Sequence, residues 1–172
     1  MEQYFTDRYR EGAFVASKPK IKIVDDTELR QEIEKNTDLI SQVNLAKWAI
    51  NVAKHVLPYL EKEFSDNEKI ANGFKFNELW QKGEATVHQV RQAGYKVHEA
   101  AREYKSETAK AAARSVGQAV GVDHMRGHAM MATDYAIITI NLAFNNDMYK
   151  ITKEREWQLQ ELNKYDKGEI SR

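Results

Sequence analysis

The 172-residue sequence has no cysteine, only two prolines and eight glycines, and no excess of either charge. Each shortage narrows the reading. Without thiols there is no disulfide, no cysteine nucleophile and no cysteine-ligated zinc. With so few breakers, long helices are favoured. The 26 basic and 26 acidic side chains cancel, which argues against a nucleic-acid binder driven by phosphate neutralisation. No apolar run is long enough to span a bilayer. The first residues, MEQYFTDRYREG, mix charges and lack the apolar core of a secretory leader. The expectation is one cytoplasmic domain with a substantial core and no membrane partner.

The chain is organised around residues 108–144. An alanine-rich run, TAKAAARSVGQAV, passes through GVDHMRGH into AMMATDYAIITINLAF. That last part is apolar at nearly every angle of a helix, the pattern of a helix buried on all sides. The alanines and Gly117 leave little side-chain volume, so neighbouring backbones can approach closely. Gly121 and Gly127 bracket a break between the two helices.

Elsewhere the periodicity predicts further helices. Residues 1–26 read as an irregular or extended arm, with KIKIV (Lys20–Val24) as a short strand or part of that arm. Asp25, Asp26 and Thr27 offer caps for a short helix. A second helix is expected to start near Asn36–Asp38. Its stripe is Leu39, Val43, Ala46, Ile50, Ala53, Leu57 and Leu60, with Pro58 ending or kinking its last turn. Trp48 and His55 share the opposite face with Asn44 and Asn51, and the N-terminal arm is the expected cover for it. Ser65 or Asp66 is expected to cap a third helix, stopped at Gly83. Thr86 with Gln89 matches a capping box opening a helix to Tyr104. That helix is expected to bury Val87, Val90, Gly94, Val97, Ala101 and Tyr104. A neighbouring stripe holds His88, Arg91, Tyr95, His98 and Arg102. In the last helix Met148, Ile151, Leu159 and Leu162 are expected inside, and Lys153, Glu154, Arg155 and Glu156 in water. Residues 167–172 read as a tail and 27–166 as the helical domain.

Little chemistry is legible. There is no glycine-rich phosphate loop and no GxSxG elbow, and the residue patterns call for no cofactor. His124 and His128 have the i,i+4 spacing of a helical metal pair. However, Met125 stands where a metalloprotease motif needs glutamate, and a helix break at Gly127 would remove the shared face. Asp134, inside the apolar helix, is the acid most expected to be buried, and a buried carboxylate needs a partner. His98, Arg91 and Arg114 are the partners the sequence suggests. A structural ion pair is the expected role.

From Trp48 to Tyr135 the pattern resembles the Imm-five-like family of small bacterial helical immunity proteins. The carriers are LAKWAINVAKHVLPYLE, LWQKGEATVHQVRQA, EAAREY and AAARSVGQAVGVDHMRGHAMMATDYA. In the last, Arg114, Gly117-Gln118-Ala119, His124, His128-Ala129 and Tyr135 match in order. Val122 and Asp123 stand where relatives tend to carry small residues. The resemblance implies an all-helical, non-enzymatic protein that neutralises a cognate toxin by binding it.

The combined expectation is an all-α, single-domain bundle of six or seven helices with a short N-terminal arm. Its partner would be a toxin protein. The binding candidates are Trp48, His55, His88, Arg91, Tyr95, His98, Arg102, His124, His128 and Asp134. Rival readings are a metal-binding or hydrolytic bundle using the histidine junction, and a homodimer joined through the Trp48 face.

Overall fold

Helix formation starts at Asp26, whose carboxylate accepts the Leu29 N–H. The computed structural model describes residues 13–61 and 67–167. Seven α-helices and one 3₁₀ turn occur in them: α1 (Thr27–Thr37), α2 (Gln42–Glu61), α3 (Glu68–Gln81), α4 (Val87–Glu103), α5 (Glu107–Val120), the 3₁₀ turn (Gly121–Asp123), α6 (Gly127–Ala143) and α7 (Met148–Leu162). Residues 13–26 form no strand, so KIKIV belongs to an extended arm.

Helix α5 is the hub and packs against α2, α3, α4 and α6. Its small side chains permit this. Ala109, Ala111, Ala112 and Ala113 are buried, as is the whole run Ser115–Val120. The approach of α3 is equally close: a Cβ on Gly73 would lie 2.6 Å from Val97 Cγ2 and 3.2 Å from Val120 Cγ2. Helix α6 is buried around most of its circumference, as its pattern predicts. It ends at Asn145 and Asn146, both left-handed at φ 49° and 60°, a conformation that asparagine tolerates better than most residues. Asp147 then caps α7 by accepting from Tyr149 and Lys150 N–H.

Several local signals hold. The capping box at Thr86 and Gln89 is complete in both directions, Ser106 caps α5, and Gly83 ends α3 at φ 76°. Others shift. Helix α2 starts at Gln42, later than expected, because Asp38 closes α1 and Ser41 Oγ accepts the Asn44 N–H. The cap of α3 is Asn67, which accepts from Lys69 and Ile70 N–H; Ser65 and Asp66 lie outside the described residues. Val87 and Met148 are exposed at 39% and 45%, not buried, since each opens its helix at the rim of the bundle.

The largest departure is α7. Glu154 and Arg155 are buried rather than solvated, and so is the carboxylate they help to explain. Asp134 Oδ1 accepts from Arg30 Nε and Arg155 Nη2, both at 2.8 Å, and Oδ2 from Arg30 Nη2 at 2.9 Å. These partners replace the expected His98, Arg91 or Arg114. Arg155 also forks onto Asp25 at 2.9 and 2.7 Å, and its Nη1 donates to Thr133 Oγ1 and Gln158 Oε1. Arg30 donates to the Ser17 carbonyl, and Ser17 in turn donates through N and Oγ to Glu34. Burial alone would lower the Arg30 pKa, but the bonds to Asp134 hold it above its ordinary value. One ionic chain thus ties the arm, α1, α6 and α7 together.

Removing Asp134 leaves two guanidiniums buried around a void. Asp134→Ala is expected to cost about 3–5 kcal/mol, measured by urea unfolding at neutral pH. A loss under about 1 kcal/mol, the scale of an exposed pair, would show that the chain contributes little.

Candidate functional site

The histidine junction is built by the break between α5 and α6. After Val120 the backbone tightens into the 3₁₀ turn, and both His124 and Met125 N–H point back to the Gly121 carbonyl. His124 therefore lies outside any α-helix, and His128 sits in the first turn of α6. The i,i+4 spacing on one helix face is lost. The rings still meet, with centroids 5.1 Å apart and tilted by 60°.

Each ring has its own partner. His124 Nδ1 lies 2.9 Å from Asp123 Oδ1, and His128 Nδ1 lies 2.5 Å from Gln118 Oε1. His98 joins them from α4. Two glycines of α5's C-terminal end seat the three rings. A Cβ on Gly117 would fall 2.5–2.8 Å from His98 ring atoms, and one on Gly121 would fall 3.3 Å from His128 and 3.5 Å from His124. The junction is then pinned to the rest of the bundle. Gln42 donates to the Val122 and Asp123 carbonyls, and Arg126 donates to the Thr37 and Ile40 carbonyls.

Burial disfavours charge on two of the three rings. Burial, with smaller contributions from His124, His98 and Lys20, pushes the His128 pKa down to about 4. Burial also lowers His98, reinforced by Arg114 and Arg102. The Asp123 carboxyl is raised by burial, against the opposing bond to His124. Two buried atoms, His98 Nδ1 and Asp123 Oδ2, have no hydrogen-bond partner among the described residues. No group of three histidine or carboxylate side chains among the described residues is arranged to hold a metal ion. Asp134 stands apart from the histidines, within the ionic chain of α6 and α7.

The Trp48 and His55 face divides into an internal tryptophan and a histidine exposed at the edge of the α2–α7 seam. Trp48 is fully buried, and its indole Nε1 donates to the Gln158 carbonyl at 2.9 Å. His55 stacks on Trp157 at 3.6 Å between centroids and pairs with Glu154 at 2.8 Å. The Glu154 bond raises the His55 pKa against the opposing effect of burial. Helix α7, not the N-terminal arm, is the cover, so Trp48 is unavailable to a second copy or to a toxin. The α4 stripe is different: His88, Arg91 and Arg102 are exposed, Tyr95 is 59% exposed, and only His98 turns inward.

Sequence reasoning missed Arg30, Arg155, Gln118 and Gln42. For Arg155 a signal existed. Ile151, Arg155, Gln158 and Leu162 fall on one helical stripe and all are buried; the charged neighbours masked it.

Two measurements test the junction. A histidine held below its ordinary pKa stabilises the fold fully above pH 6.5 and loses that contribution as pH falls toward 4. Between pH 7 and 4.5, wild type should lose on the order of 2–3 kcal/mol more than His128→Gln, read from urea melts; equal losses would refute the assignment. Gly117→Ala should displace the His98 imidazole, and an NMR titration should show the His98 pKa rising toward 6.5. An unchanged value would mean that Gly117 does not seat the ring.

No curated protein and no solved structure matches the chain. The profile of the family described as "Imm-5 like putative immunity protein" matches residues 35–165. That span runs from the last turn of α1 to just past α7. It contains all ten candidate residues and carries the resemblance seen between Trp48 and Tyr135 through the C-terminal helix. The chain belongs to the Imm-5 like immunity protein family.

Proposed function

We propose that this protein neutralises a cognate toxin by binding it, with no chemistry of its own. The observation that carries the reading is the family match across α2 to α7, the helices that build the bundle. The disposition of the polar residues supports it. Asp134, Arg30 and Arg155 spend their hydrogen bonds on joining the arm and helices to one another, and His128 joins α6 to α5. The candidates still facing solvent are His55 and an arginine, histidine and tyrosine stripe on α4, and tyrosine and arginine are enriched where binding energy concentrates. No helix among the described residues is long and apolar enough to cross a membrane, so contact with the toxin does not rest on a helical anchor here.

The test is co-expression with the toxin encoded beside this gene. Cells making both should survive, and the two proteins should purify as a stoichiometric complex. Death of cells that demonstrably accumulate this protein overturns the reading.

A further inference from the structure

The described arginines divide into two sets. Arg30 and Arg155 are held by buried carboxylates, and Arg126 by the carbonyls of Thr37 and Ile40. Arg91, Arg102 and Arg114 have no hydrogen bond or ion pair to any described residue. The second set is clustered. Arg91 and Arg102 lie on the α4 stripe with Tyr95 between them, and Arg102 and Arg114 both act on His98. At the other end Arg91 acts on Asp123. The floor beneath them supplies one carboxylate, Asp123, which is buried, has its Oδ1 on His124 and makes no ion pair with the three guanidiniums. Lys96, also on α4, is engaged by Glu99.

We propose that the α4–α5 face presenting Arg91, Tyr95, Arg102 and Arg114 binds a carboxylate-rich patch on a protein partner. This rests on the immunity reading, in which that patch belongs to the toxin. Guanidiniums bind carboxylates through paired, directional hydrogen bonds. An exposed tyrosine among them adds apolar contact area at small entropic cost. Unpaired cations on one face attract an acidic partner and speed encounter with it. A protein patch suits the face better than a nucleic acid does. The whole chain carries no net charge, and the next flank of α4 carries Glu99 and Glu103, held by Lys69, where a long phosphate backbone would meet carboxylates.

The experiment compares wild type, the double variant Arg91→Glu with Arg102→Glu, and the control Lys153→Glu with Lys164→Glu. The control makes the same charge change on α7 and in the turn that follows it. All four positions are exposed, and thermal melts establish that each variant folds. A short polyglutamate peptide is titrated into labelled protein at low salt and read by amide chemical shifts. Shifts should be confined to α4 and the adjoining part of α5. They should weaken at least about tenfold in the double variant and persist in the control. Shifts elsewhere, no shifts, or tighter binding of duplex DNA to the same face would overturn the proposal. In the co-expression test the double variant should fail to protect. If it protects as well as wild type, the acidic-patch contact is wrong while the immunity reading stands. If wild type itself fails to protect, the immunity reading falls and the peptide titration alone decides the face.

Discussion

A carboxylate in the middle of a helix buried on most sides is tolerable only if cations follow it inside. Asp134 imposes that condition here, and two guanidiniums meet it from opposite ends of the sequence. Arg30 brings α1 and Arg155 brings α7. Arg155 then brings Asp25 and the arm behind it. Hydrophobic burial supplies most of the driving force for such a fold, but it is non-directional. The forked arginine contacts add direction, fixing which face of α1 and α7 turns toward α6.

The second constraint is volume. Four helices reach α5 because it offers mostly alanine, glycine and other small side chains to them. The same economy of volume at Gly117 and Gly121 admits three imidazoles at its C-terminal end. A close-packed hub and a histidine cluster therefore have one cause, which is the absence of side chains on one edge of one helix.

How much of this was legible in the sequence depends on the range of each interaction. Caps are local, so Asp26, Thr86 and Gly83 read correctly from neighbours within a few residues. The all-round apolar character of α6 was also plain, since burial on every side leaves no polar stripe. The partners of Asp134 were not legible. Arg30 lies 104 residues away, and nothing local separates a guanidinium bound for the core from one bound for water. Trp48 shows the same limit: its position on a polar stripe was visible, but not the identity of the helix that covers it. At the histidine pair the two bracketing glycines marked the break, and the 3₁₀ turn removes the helix that would give i,i+4 its meaning. The α4 stripe was found correctly as a constellation; its split into one inward histidine and four outward residues needed the position of α5.

The ionic chain also crosses the edge of the family match. Asp134 and Arg155 lie within residues 35–165, whereas Asp25, Arg30 and Ser17 precede them. The ionic chain therefore extends beyond the matched span. A protein shortened to the matched residues would keep Asp134 with one guanidinium instead of two, and Arg155 would lose its second carboxylate. Asn141, which clasps the Val24 backbone through both its amide nitrogen and oxygen, would be left open beside it. Residues 17–30 thus complete the electrostatics of the matched span from outside its boundary.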